Sequence, residues 1–305
     1  MPLFNINAEG APPADLIAQA NALPEGAPII VMVHGYGFSP SDPKRDPHSH
    51  IFALEPSFDL HTATSWPRAL GFGGQNPGEG LAIGFGWEST GRLARIYDMA
   101  EIAAQRLARL ITQLSEVSDR PVGLIGHSMG CHVGLRALRY LHAGRVSRMV
   151  LLAAAEFQSR AEEAMASPAG RACEVLNVTT RENDLFDFLM ELGVGRGRER
   201  CIGNGLSRPL RNWVDLQIDA PDVIATLADI GYPVALSDRR VCHFSCYMRD
   251  GLFDLYRAVL RAPERLPLPY LAQALPQVQA PRWSRLFARQ RTALAPLPLA
   301  GHRAD

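Results

Sequence analysis

A serine set between two glycines is the first place in this chain where chemistry could be done. The stretch Gly126-His127-Ser128-Met129-Gly130 follows an apolar run at 122–126 and opens a segment of helical character. A serine hydroxyl is a weak nucleophile until a tight strand-to-helix turn lifts it out of the sheet and a base takes its proton. The two glycines leave room for such a turn, and the N-terminus of the following helix favours negative charge. Attack on an acyl carbonyl also needs two backbone N–H groups aimed at the oxyanion. One is expected from Met129, the residue after the serine. The other is expected from the loop after a second apolar run, Val31-Met32-Val33-His34-Gly35-Tyr36-Gly37, where Tyr36 is best placed. A nucleotide-binding reading of these glycines fails. G-x-G-x-x-G from Gly35 would need glycine where Pro40 stands, and no G-x-x-x-x-G-K-[ST] occurs.

Strands must carry these residues. Five short apolar runs, at 28–33, 81–85, 122–126, 148–154 and 174–180, are barely interrupted by polar residues, as strands buried on both faces are. Helical periodicity lies between several of them. At 92–116, Leu93, Ile96, Ala100, Ala103, Leu107, Leu110 and Leu114 recur at spacings of three and four, which makes one apolar stripe. Further helices are expected over 129–142 and 251–261. Strands alternating with helices predict an α/β fold, a mostly parallel central sheet with helices on both faces. One domain is expected over 1–262. It has excursions at about 38–72 and 187–242, the second holding a possible strand at 213–218 and a possible helix at 221–230. Residues 263–305 carry seven prolines and read as an extended tail.

With these motifs in hand, the chain resembles the α/β-hydrolase superfamily, on its lipase- and esterase-like serine hydrolase side. VMVHGYG and GHSMG are similar to the paired signatures of small bacterial lipases and esterases. Trp87-Glu88-Ser89-Thr90-Gly91 and Tyr97-Asp98 resemble a poorly characterised bacterial branch. The resemblance covers about residues 28–261. It implies a catalytic triad in the chain order serine, acid, histidine. Only His243 and His302 follow the helix after Ser128, and His243 precedes the apolar helix before which the family's base stands. The acid is implied at Asp184, in the loop after the run 174–180, with Glu182 and Asp187 as competitors. Asp184 is also well suited to cap a helix over 185–191.

The implied activity is hydrolysis of a carboxylic ester or thioester on a small-molecule acyl substrate, through an acyl-enzyme on Ser128, with no metal or organic cofactor. An acyltransferase and a serine peptidase or amidase would use the same residues. A non-catalytic binding scaffold of the same fold is the alternative from another class.

Composition narrows the partners. Thirty-one basic and 31 acidic residues leave no net charge, which disfavours a nucleic-acid binder. Five cysteines, none spaced C-x-x-C, suggest reduced thiols and a cytoplasmic protein. The N-terminus lacks the basic and apolar regions of a signal peptide, and no apolar run is long enough to span a membrane. His34 is expected to structure its loop, and His127 and His132 to pack rather than transfer protons. Asp42, Asp46, His48 and His50 are of ligand type, but their spacing matches no defined metal site. Arg181 reads as a surface ion-pair partner. Residues 281–291 interleave Trp283, Leu286 and Phe287 with arginines, which suits either packing on the body or a weak partner or membrane-surface contact.

Overall fold

The structure, a computed structural model, describes residues 3–57, 64–74, 76–276 and 280–287. Its strands are β1 (Leu3–Asn7), β2 (Ile29–Val33), β3 (Leu81–Gly86), β4 (Val122–His127), β5 (Val146–Leu152), β6 (Glu174–Thr179) and β7 (Trp213–Gln217). They form one sheet in the order β1-β3-β2-β4-β5-β6-β7, and every strand pairing is parallel. The helices are α1 (Ala14–Asn21), α2 (Trp66–Ala69), α3 (Leu93–Ser118), α4 (Met129–Ala137), α5 (Gln158–Met165), α6 (Pro168–Ala172), α7 (Asp184–Gly193), α8 (Pro221–Asp229), α9 (Ser245–Met248), α10 (Leu252–Arg261) and α11 (Leu268–Ala274).

Strand side chains alternate between two cores because successive Cβ atoms leave opposite faces. Ile29, Val31 and Val33 of β2 join one core, with α1, α3, α4 and α5. Ile30 and Met32 join the other, with α2, α8, α10 and α11. This is why the central strands read as continuous apolar runs. The stripe of α3 is buried at Ile96, Ala100, Ala103, Leu107, Leu110 and Leu114, and burying each large member contributes ~1.5–3 kcal/mol. The helix stops at Asp119, which takes a left-handed conformation at φ 49°.

Three differences from the sequence reading have local causes. β1 lies at the sheet edge and buries only Ile6 fully, so it lacks the apolar run of a central strand. α4 is shorter than expected and tightens into a 3-10 turn at Leu138–Tyr140. The stretch read as the start of a tail buries Leu266, Leu268, Leu271 and Leu275 in the second core. Two of its prolines, Pro267 and Pro269, sit at the entry to α11, where a missing N–H costs nothing, so proline content there did not signal an extended chain. Residues 288–305 of the expected tail, including 288–291 of the contact segment, lie outside the described residues. Among the described residues, no helix is long and apolar enough to cross a membrane.

The sheet order decides where a site can form. The chain leaves β2 for β3 on one side, and leaves the adjacent β4 for β5 on the other. Crevices open at such switch points, beyond the carboxyl ends of the strands. The register pairs Val33 with Gly126, which brings the loop after β2 beside the turn after β4.

Candidate active site

Ser128 occupies that turn at φ 54°, ψ −119°, a conformation costing about 1–3 kcal/mol for a non-glycine residue. The surroundings hold it there. Its N–H donates to the Leu152 carbonyl at 2.9 Å, and its own carbonyl accepts from Cys131 at 3.0 Å and Ala155 at 3.1 Å. Gly130 lets α4 close on β2, since a Cβ there would sit 2.3 Å from the Val33 oxygen. Gly35 does the same across the crevice: a Cβ would lie 2.9 Å from the Ser128 Cβ. The Met129 and Tyr36 N–H groups have no acceptor among the described hydrogen bonds. They stand on the two sides of this contact.

The loop 34–38 is held from behind by the turn after β3. The Trp87 N–H donates to His34 Nε2 at 3.0 Å, so the proton of the neutral ring is on Nδ1, which donates to the Gly35 carbonyl at 2.9 Å. The Trp87 indole N–H donates to the His34 carbonyl at 3.1 Å and its ring stacks on His34. Burial pushes the His34 pKa down to about 3, which keeps the ring neutral, and the two hydrogen bonds fix its tautomer. Ser89 completes the clamp. Its hydroxyl faces the Gly35 and Phe38 carbonyls at 2.9 and 2.8 Å and accepts the Phe38 N–H at 3.1 Å. The Tyr36 hydroxyl reaches the Gly91 carbonyl.

His243 stands on the opposite wall. His127 donates from Nε2 to the His243 carbonyl at 2.9 Å, and the two rings lie 4.6 Å apart. The base candidate is thereby tied to the residue preceding Ser128. Burial and then the neighbouring His127 lower the His243 pKa well below 6.5, so the imidazole is neutral at pH 7. Its Nδ1 is 2.6 Å from Asn183 Oδ1. Asn183 in turn donates from Nδ2 to Asp187 Oδ1 at 2.9 Å, which sets the direction of the amide. With Nδ1 protonated, His243 presents an unprotonated Nε2, the atom a general base needs. No hydrogen bond joins it to the Ser128 hydroxyl among the described residues.

The acid expected at Asp184 is not the residue brought to His243. Asp184 Oδ1 faces Arg181 at 3.2 Å and Oδ2 accepts the Trp283 N–H at 2.6 Å. The reason is one turn of backbone. After β6 the chain makes a 3-10 turn over Arg181–Asn183, and α7 begins at Asp184. Asn183 is therefore the residue aimed at His243, and it makes no side-chain cap to the helix. Glu182 is spent on Arg249 in a fully buried pair at 2.7 Å. Arg181, expected at the surface, is buried between Asp184, Asn204 and the Gly203 carbonyl.

A second histidine–carboxylate pair lies beneath the turn. His132 Nδ1 is 2.7 Å from Glu156 Oε2 and its Nε2 is 3.2 Å from the Tyr97 carbonyl. The Tyr97 hydroxyl donates to Glu156 Oε1 at 2.7 Å, and the two rings stack 3.9 Å apart. Burial works to raise the Glu156 pKa, but His132, Tyr97 and the Phe157 N–H outweigh it and the net shift is downward. In the 41–50 loop, His48 binds Asn7 and the Asp46 and Asp42 carboxylates accept local backbone N–H groups. Among the described residues no three ligand-type side chains are grouped to hold a metal ion.

Sequence reasoning missed Asn183, although an amide orients the base in cysteine proteases of unrelated fold and R-E-N-D places one between two of the candidate acids, Glu182 and Asp184. It also missed Glu156, whose only signal was position after a strand.

A positive-φ serine between a parallel strand and a helix, faced by a glycine loop from the neighbouring strand, is the arrangement of the α/β-hydrolase strand-to-helix turn. Residues 30–304 match the model of the alpha/beta hydrolase family, and the chain belongs to that family. Among solved structures it is similar to the lipase BlEst2 of Bacillus licheniformis, with 14% identity, a TM-score of 0.38, and coverage of 64% of this chain and 84% of the lipase. It is also similar to MenH from S. aureus, with 10% identity, a TM-score of 0.36, and coverage of 79% and 96%. No curated protein matches the chain.

Proposed function

We propose that this chain is a serine hydrolase that cleaves a carboxylic ester or thioester of a small acyl substrate through an acyl-enzyme on Ser128. The observation that carries the reading is the convergence on one crevice of a serine at φ 54°, two N–H groups without acceptors, and a neutral imidazole whose Nδ1 is held. His243 Nε2 takes the hydroxyl proton as Oγ attacks the carbonyl. The Met129 and Tyr36 amides receive the oxyanion. The imidazolium then protonates the leaving alcohol or thiol, and water repeats the cycle on the acyl-enzyme. Side chains and water complete this chemistry. Phe186, Phe244 and Tyr36, partly exposed around the crevice, favour an apolar acyl group. The five cysteines are free and buried, which supports a reducing, cytoplasmic setting.

Fluorophosphonate labelling tests the reading, because the probe needs an activated serine but no knowledge of the substrate. Wild type is expected to label, and Ser128→Ala and His243→Ala are expected not to. Labelling that survives Ser128→Ala would remove Ser128 as the nucleophile. A p-nitrophenyl ester series of increasing chain length then reads the acyl preference.

A further inference from the structure

We infer that Asp187 is the remote acid of this site, acting on His243 through the Asn183 amide. The inference rests on the serine-hydrolase reading above. Three groups form a chain: His243 Nδ1 to Asn183 Oδ1 at 2.6 Å, and Asn183 Nδ2 to Asp187 Oδ1 at 2.9 Å. Asn183 and Asp187 are each 3% exposed, so water does not screen the relay. An amide cannot take a proton, but it transmits charge. An ionised Asp187 strengthens the bond at Nδ2 and leaves Oδ1 a better acceptor for His243. That favours the imidazolium which forms as Ser128 attacks. A protonated Asp187 supplies the same geometry without the charge.

The charge state is balanced close to neutrality. Burial and then Asp184 raise the Asp187 pKa, Glu191 adds to them, and Arg181 and Arg282 oppose; the outcome is about 7. Arg181 comes from the turn before α7, and Arg282 from the segment 280–287. Asp184 and Glu191 lie on α7 itself. Cys201, whose Sγ donates to the Asp187 carbonyl, is held as the thiol by burial and by Asp187. His243 titrates well below this range, so the two groups are separable.

The test follows the rate of Ser128 labelling by a fluorophosphonate across about pH 5 to 9 in the full chain. In wild type the rate should rise through about pH 7, following Asp187. Asp187→Asn should abolish that rise and lower the alkaline plateau about fivefold, the difference between a charged and a neutral hydrogen bond. The exchange Asn183→Asp with Asp187→Asn sets a carboxylate directly on His243 and should restore the plateau. A purely structural Asp187 would change yield or melting temperature and leave the inflection in place. An inflection and plateau unchanged in Asp187→Asn overturn the inference while leaving Ser128 as the nucleophile. A wild type that never labels overturns the hydrolase reading itself, and this inference with it. Should the variants not fold, the wild-type protein still decides. The His243 Nδ1–H proton resonance should shift with a midpoint near pH 7, and a resonance constant from pH 5 to 9 overturns the relay.

Discussion

Two histidines flank Ser128, each joined to a buried carboxylate, yet they are built for different work. His132 meets Glu156 directly, and its second nitrogen is taken by the Tyr97 carbonyl. His243 reaches Asp187 only through Asn183. The first ring is fully committed to acceptors and packed under an aromatic ring, so it ties α3, α4 and the segment after β5 together. The second has one nitrogen held and the other unprotonated. Among the described residues, what separates the two rings is a nitrogen without a hydrogen-bond partner, not the presence of a carboxylate, and only such a nitrogen suits a general base.

The largest test of that contrast sets the two rings against each other. His243→Ala should slow labelling by ~10³-fold or more with little change in thermal stability. His132→Ala should retain labelling wherever the protein is folded but lose about 3–5 kcal/mol, because the buried Glu156 carboxylate loses its histidine and keeps only the Tyr97 hydroxyl and the Phe157 N–H. Labelling kinetics and denaturant titration read the two effects, and equal kinetic losses would collapse the distinction.

Next in size is the contrast between the residue that holds His243 and the acid expected there. Asn183→Ala should cost roughly ten- to a hundredfold in labelling rate, while Asp184→Asn should stay within about threefold. A reversed ranking would return the acid to Asp184.

A smaller effect distinguishes the carboxylates by pH. Asp187 binds its proton more tightly in the fold, with a pKa raised from 3.8 to about 7. Stability from this group is therefore complete below pH 3.8 and is lost as pH rises through 7. Asp187→Asn should melt higher than wild type at pH 8 and gain less at pH 5. Glu156, whose pKa is lowered, contributes stability above its unfolded value and loses it as the pH falls. Melting curves at several pH values check both signs.

The smallest effect is expected on the oxyanion side. Ser89→Ala removes a hydroxyl that bridges two loop carbonyls and should slow labelling a few-fold, about 0.5–1.5 kcal/mol, without shifting the pH profile.

The fold was legible because its signals are local. Doubly buried strands read as apolar runs, and α3 declared itself through one stripe. The turn at Ser128 was legible for the same reason, since its two glycines are separated by only three residues. The partner of His243 was not. It depends on whether α7 starts at residue 183 or 184, and helix boundaries are the least certain part of any such reading. Glu156 was invisible because its partners, Tyr97 and His132, are 59 and 24 residues away in the chain. Leu268 and Leu271 were hidden by the prolines around them.

Phe186 lies on the same turn of α7 as Asp187 and stacks on the His243 ring at 4.6 Å. One short stretch of helix thus carries both a ring packed on His243 and the carboxylate that reaches the same imidazole through Asn183. Selection for a new acyl group at Phe186 would also alter the support of the imidazole. A substitution at Phe186 that changes acyl preference is therefore expected to move the pH profile as well.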